Sequence, residues 1–221
     1  MRARTALRFA SALVALQTML VAGCSAAPPP ARWSAGASPT AAPVWPLPLK
    51  VRLYDPYRLL RPEVRRVAEA EVIRAFGRAG APVRFTPGDP EAIPATIYRE
   101  LPSRWDVDPT AIGVAVGERG GRRSVFLSYG AAVRALGHGA GARVPRSRIG
   151  VAVGRVLAHE LVHAIAPECP HTRTGLMAAS LNRRLLTAPG IGFDPLASRY
   201  LRRAWTASVL AAGAFGTGPD Q

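Results

Sequence analysis

Two histidines in a long apolar segment are the residues of this sequence whose types and spacing most clearly suggest chemistry. His159 and His163 lie four positions apart, in the order His-Glu-Leu-Val-His. Side chains four residues apart on a helix lie one above the other, so both imidazoles can hold one metal ion. Glu160 stands beside them, where its carboxylate can take a proton from a water molecule that the metal has acidified. The pattern predicts a zinc site for the hydrolysis of a peptide bond.

The helix that must present these side chains is predicted over residues 147–166. Its apolar residues lie on every side of the helix, and they are Ile149, Val151, Val153, Val156, Leu157, Leu161, Val162 and Ile165. A helix that is apolar all round is buried. Two histidines and a glutamate in such a helix need partners, because an unpaired buried charge is costly. A zinc ion supplies them.

A catalytic zinc ion usually has three protein ligands and one open position, so a third ligand is needed. Three candidates follow the helix closely: Glu168, Cys169 and His171. Glu168 follows the helix too closely to fold back easily, whereas thiolate and imidazole both bind zinc well. A distant acidic ligand is a further alternative. Asp194 would be that ligand, although its place before Pro195 favours a helix N-cap.

Residues 159–177 read HELVHAIAPECPHTRTGLM and resemble the metzincin clan of zinc metallopeptidases. The clan has two helix histidines, a chain reversal, a third histidine and a later methionine turn, and Gly175-Leu176-Met177 is similar to that turn. The resemblance implies metal ligands and a catalytic base at the matching positions, namely His159, His163 and His171 for Zn²⁺ and Glu160 for the base.

The chain departs from the clan's pattern at the reversal. The clan has a glycine three residues after the second histidine and its third ligand six residues after it. Here Ala166 and Cys169 hold those places, and the histidine comes two positions later. We favour His171 as the third ligand, because a longer loop can still return its side chain to the metal. Cys169 stays the alternative, and as a ligand it would tend to close the site.

The predicted elements follow from apolar alternation for strands and from helical spacing for helices. They are a strand over 47–54, a helix over 62–79, strands over 82–86, 95–101, 111–117 and 124–129, and helices over 147–166 and 195–205. This order predicts an α+β fold. The resemblance further implies a metzincin-like zincin domain, with a mixed and mainly parallel sheet, a buried active-site helix and a C-terminal helix after the methionine turn.

The resemblance implies an enzyme that cleaves peptides or proteins, with the substrate extended along the edge strand over 111–117. We expect an endopeptidase rather than an exopeptidase, and a monomer. A second class of function stays open: a non-enzymatic envelope module that keeps the fold, with its metal absent or closed off by Cys169. The intact Glu160 favours the enzyme, because a purely structural site needs no general base.

The first residues of the chain predict a secretion signal and a lipid anchor. A basic start is followed by an apolar stretch over 10–21 that is too short to span a bilayer comfortably. It ends in Val21-Ala22-Gly23-Cys24, which resembles the lipobox of bacterial lipoproteins, where the cysteine is acylated and becomes the new N-terminus. We therefore expect a signal peptide over 1–23, an Ala/Pro-rich tether over 24–45, the peptidase domain over 46–206 and a loose tail over 207–221, all in the bacterial cell envelope.

The charge balance is strongly basic, with 29 Lys and Arg against 14 Asp and Glu and a net charge of +15. Such an excess is compatible with binding to nucleic acid or to anionic lipid. The arginines are scattered, however, and no basic run is interleaved with aromatic residues. We expect a solvated basic surface and no nucleic-acid partner.

Substitution of Cys24 by Ser tests the anchor. In a bacterial host the wild-type protein should partition into detergent and carry acyl mass on Cys24, because two or three acyl chains anchor a protein stably. Cys24→Ser should lose both properties, as measured by detergent phase partitioning and by mass spectrometry of the N-terminal peptide. A mature N-terminus at another residue, without lipid, would contradict the prediction.

Overall fold

The computed structural model describes residues 48–214, except 106, 109, 118–122 and 138–143, and describes side chains as far as residue 207. The predicted signal peptide, the tether with Cys24, and the last residues of the predicted tail lie outside the described residues. Across the described part of the chain, no helix combines the length and the apolar character needed to cross a membrane.

Five strands form one sheet in the order β2-β1-β3-β5-β4. The strands are β1 Leu49–Tyr54, β2 Val83–Phe85, β3 Ile93–Tyr98, β4 Gly113–Gly117 and β5 Arg123–Ser128. Neighbouring strands are parallel except β4, which pairs antiparallel with β5 at one edge. The prediction of an α+β fold with a mixed, mainly parallel sheet is confirmed.

One face of the sheet is covered by two long helices, α1 Pro62–Arg78 and α3 Arg146–Ile165. Buried and exposed side chains alternate along the strands, as expected for a sheet with one face in the core. In β1, for example, Leu49, Val51 and Leu53 are buried, whereas Lys50 and Tyr54 are exposed. The core therefore lies between one sheet face and the helix pair.

Helix α3 is buried along almost its whole length, as its apolar sequence predicts. It packs directly against α1, and Gly154 makes this close approach possible. A Cβ atom at Gly154 would lie 2.5 Å from the carbonyl oxygen of Ala68, so any side chain there would push the helices apart. The packing fixes the helix that carries His159, Glu160 and His163.

A buried arginine holds α3 in place on the side that faces α1. Arg155 is only 3% exposed, and its Nε donates to Glu71 of α1 at 2.7 Å. Its two terminal nitrogens donate to the backbone carbonyls of Leu185 and Ala188. Glu71 also accepts two hydrogen bonds from Arg74. Burial alone would raise the pKa of Glu71, but the two arginines outweigh burial and hold that pKa below its usual value.

Two short helices were not predicted. They are α2 Tyr129–Ala135, where the Ser128 hydroxyl accepts from the Ala131 N–H, and α4 Arg183–Thr187, where the Asn182 side chain caps the start. The last helix, α5, spans Pro195–Ala214 and so continues beyond the predicted end at Trp205 into the predicted tail. Its N-cap is Asp194, which accepts from the N–H groups of Leu196 and Ala197.

Replacing Glu71 by Gln should destabilise the fold by about 3–5 kcal/mol, because removal of one charge leaves buried Arg155 without its counterion. The matched control is Glu69→Gln on the same helix, which loses only a partly exposed pair with Arg65 and should cost less than about 1 kcal/mol. Urea unfolding of the domain measures both changes. Equal effects of the two substitutions would contradict the role given to Glu71.

The same pair predicts a pH dependence. Because the pKa of Glu71 is lower in the folded chain than its ordinary value of 4.5, its contribution is present above that value and is lost as the pH falls through the folded-state pKa. The stability difference between wild type and Glu71→Gln should therefore shrink between neutral pH and acidic pH. A stability difference that grows as the pH falls would contradict this prediction.

Candidate metal centre

Helix α3 brings two of the predicted ligands together. His159 is 6% exposed and His163, one turn later, is half-buried. Their Nε2 atoms lie 3.2 Å apart, because residues four positions apart stack along one helix face. Both side chains face a cleft rather than the core.

The third predicted ligand returns to this pair from the loop after α3. The helix ends at Ile165, and Pro167 cannot continue its hydrogen bonding. After the reversal the Thr172 N–H donates to the Met177 carbonyl at 2.7 Å, which closes the loop next to His171. The Nε2 atom of His171 then lies 3.1 Å from that of His163. The predicted trio is therefore assembled.

The turn over residues 175–177 orients His159. The Nδ1 atom of His159 lies 2.6 Å from the Leu176 carbonyl oxygen, so Nδ1 carries the proton and donates it to that oxygen. The lone pair of Nε2 is thereby left free for a metal, an arrangement typical of metal-binding histidines. Gly175 makes the turn possible, because its φ of +74° is in the left-handed region and a Cβ there would lie 2.8 Å from the Gly192 carbonyl oxygen.

The three nitrogen atoms fit one metal ion. All three ligand atoms lie within 4.8 Å of one another. A zinc ion bound tetrahedrally at 2.0–2.1 Å from each nitrogen would hold its ligands about 3.4 Å apart, close to the two short distances observed. Burial lowers the pKa of His159 to about 4 and also lowers that of His163, with a further contribution from the charge of His171. Neutral imidazoles are the form that binds metal.

The alternative third ligands take other positions. Cys169 lies in the hydrophobic core, 3% exposed, and is not part of the ligand group. Burial, with the charges of Asp194 and Glu168, raises the pKa of its thiol to about 11, so the thiol is protonated at neutral pH. Asp194 caps α5, as its sequence context predicts, and its Oδ2 lies 2.9 Å from the Thr172 hydroxyl. Glu168 is exposed beyond the end of the helix.

Glu160 lies between α3 and the edge strand of the sheet. Its side chain packs on Gly113 of β4, where an added Cβ would lie 2.7 Å from the Glu160 Cγ. Burial raises the pKa of Glu160 to about 8, and the backbone N–H of Ala115 opposes this shift only in part. A cation in the histidine cluster would favour its ionised form.

The histidines and Glu160 border one open cleft of about 690 Å³. Strand β4 forms one wall, and the loop at Ala178–Leu181 contributes to the lining. Among the described strands β4 has a single neighbour, β5, so its other edge is unpaired. The cleft is therefore open and lined on one side by backbone that can accept a further strand.

Sequence reasoning missed three groups of this site: the Leu176 carbonyl, the Ala115 N–H and Arg123. Backbone groups leave no mark in a sequence. Arg123, in contrast, could have been noticed in the sequence, because it shares the alternation of Val125 and Leu127, which are buried on the helix side of β5. An arginine at such a position is a signal that could have been read.

Comparison of the chain with protein-family models gave no match, and comparison with curated proteins gave none either.

Removal of single ligands tests the metal centre. The purified domain should hold about one zinc ion, and His171→Ala should lose it, because two imidazoles alone bind zinc far more weakly than three. The control Cys169→Ala removes a nearby thiol and should retain the metal. Metal content after dialysis, measured by mass spectrometry, decides between them. Loss of zinc from Cys169→Ala but not from His171→Ala would overturn the assignment.

Proposed function

We propose that this protein is a zinc-dependent peptidase, an endopeptidase of metzincin-like type. The observation that carries the proposal is the convergence of three histidine Nε2 atoms and the Glu160 carboxylate on one cleft along an unpaired edge strand. We also propose that the enzyme acts in the bacterial cell envelope, tethered by lipid on Cys24. That part of the proposal rests on the sequence alone.

The donor set supports zinc. Three neutral imidazoles suit zinc, and a site with three protein ligands keeps one position open for catalysis. The open cleft beside His163 and His171 provides access to that position. When bound, zinc supplies Lewis acidity, which acidifies water and polarises a peptide carbonyl group.

Glu160 has the position of a general base. It follows His159 directly in α3, and it borders the same cleft as the ligands. Its carboxylate would accept a proton from the attacking water and pass it to the leaving amine. The close packing of its side chain on Gly113 holds it against β4.

The edge strand supports a peptide as the substrate. An extended peptide can add to β4 as a further strand, with backbone hydrogen bonds that do not depend on sequence. The inward positions of β4 are Gly113, Ala115 and Gly117, so only small side chains stand between the strand and the cleft. A substrate in this place would pass close to Glu160 and the histidines.

Replacing Glu160 by Gln should keep zinc and fold but lower peptide hydrolysis by about 10²- to 10⁴-fold, because Gln cannot accept the proton. The matched control is Glu168→Gln, which makes the same change at an exposed site and should retain activity. Hydrolysis of casein and of a mixed peptide library, with zinc content measured on each variant, is the test.

Equal hydrolysis by wild type and Glu160→Gln would remove Glu160 from the mechanism. A wild-type protein that binds zinc through four protein ligands and cleaves nothing offered would overturn the peptidase proposal and favour the non-enzymatic envelope module.

A further inference from the structure

One end of the cleft carries an arginine that the proposed reaction does not use. Arg123 is the first residue of β5 and borders the cleft together with the histidines. It has the same strand parity as Val125 and Leu127, which are buried against the helices. Its side chain therefore projects from the helix side of the sheet into the region of the metal centre.

The strand register leaves room for this side chain. Arg123 pairs with Gly117 of β4, and a Cβ atom at Gly117 would meet no other atom within 4 Å. The guanidinium reaches across to α3, where Nη1 donates to the His163 carbonyl oxygen at 3.2 Å. A cation is favoured at this place, because the last carbonyls of a helix carry partial negative charge.

Most hydrogen-bonding capacity of Arg123 is unused in the described part of the chain. A guanidinium has five N–H donors, and the structure gives Arg123 one hydrogen bond. Buried Arg155, by contrast, uses each of its three guanidinium nitrogen atoms, in hydrogen bonds to Glu71 and two carbonyl groups. The arginines that pair with described glutamates are Arg65, Arg74, Arg134, Arg146 and Arg155. The charged, half-buried guanidinium of Arg123 can therefore donate hydrogen bonds to a ligand in the cleft.

The far end of the cleft has the opposite charge. Asp108 lines it beyond the start of β4 and accepts hydrogen bonds from Thr110. Strand β4 spans about 14 Å between the two ends, at about 3.4 Å per residue. An extended peptide on β4 would therefore meet a cation near one end and an anion near the other.

We propose that Arg123 is a specificity-determining residue, which binds a carboxylate of the peptide on the side of the scissile bond that lies towards Gly117. The substrates would be peptides with Asp or Glu at that position. A carboxylate is the group that a planar guanidinium binds best, through two parallel hydrogen bonds. The proposal rests on the proposed peptidase function, whose site it shares.

Paired peptides that differ only by Glu or Gln at one position test it. Each position on both sides of the scissile bond is varied, and kcat/KM is measured for both members of each pair. Wild type should prefer Glu by about 10- to 100-fold at one position, the range expected for hydrogen bonds to a charged group. In Arg123→Gln that ratio should fall towards one, and Arg123→Lys should restore part of it, because lysine keeps the charge without the fork.

The matched control is Arg148→Gln, which removes the same charge from an exposed position in the first turn of α3. It should keep the full Glu preference, whereas a preference caused by net charge alone would fall equally in both variants. Zinc content and thermal unfolding are measured for every variant. If Arg123→Gln does not fold, the test uses Arg123→Lys. Its Glu to Gln ratio should lie below that of wild type, and an unchanged ratio would overturn the proposal.

A second readout separates this proposal from the peptidase proposal. Binding of the same fluorescent peptides is measured by anisotropy on zinc-loaded Glu160→Gln protein, with and without Arg123→Gln. Cleavage without any Glu preference would overturn the role of Arg123 and leave the peptidase standing. Arg123-dependent binding of Glu peptides without cleavage by wild type would support the carboxylate site and overturn the peptidase. Neither binding nor cleavage would overturn both.

Discussion

The buried ion pair between Arg155 and Glu71 is the constraint on which the placement of the candidate metal centre depends. Arg155 lies one turn before His159 on α3, and its hydrogen bonds join that helix to α1 and to the carbonyls around α4. A buried pair contributes little net stability, since the desolvation of both charges offsets their attraction. What it does contribute is position: α3 can neither rotate nor slide without leaving a buried charge unpaired. The helix face that carries the histidines is fixed as a result.

The loop that carries His171 is held by a second set of hydrogen bonds, which begins at the same helix. His159 donates to the Leu176 carbonyl, and the Leu176 N–H donates to the Gly192 carbonyl. The loop that carries His171 closes on Met177 through Thr172, beside the cap of α5. The loop that carries His171, the turn over residues 175–177 and helix α5 are therefore linked by hydrogen bonds. That loop is anchored at its far end by the turn, through the hydrogen bond between Thr172 and Met177.

The sequence predicted the long elements and the juxtaposition of His159 with His163, because both depend on spacing along one element; His171 was predicted from the family resemblance. His159 and His163 need only a helix, and α3 is long enough to show its period. The short helices α2 and α4 have too few residues for a period, and their starts depend on caps at Ser128 and Asn182. Strand β3 begins at Ile93, earlier than predicted, because Pro94 is tolerated near the start of a strand. The alternation of β5 marks Arg123 as unusual, but its position at the cleft depends on the register of β4 against β5, which is a tertiary property.

Strand β4 runs antiparallel to β5, and this direction determines which of its residues line the cleft. A parallel strand at this edge would need a long crossover, whereas an antiparallel strand can follow from a short turn. Its register places Gly113 and Gly117 on the face towards α3, so Glu160 can pack against the strand itself. An unpaired edge normally invites aggregation and is blunted by charge or by a covering element. Here the edge lies inside a cleft beside a buried carboxylate and an arginine, where, under the proposed function, an extended peptide would gain backbone hydrogen bonds and charge recognition together.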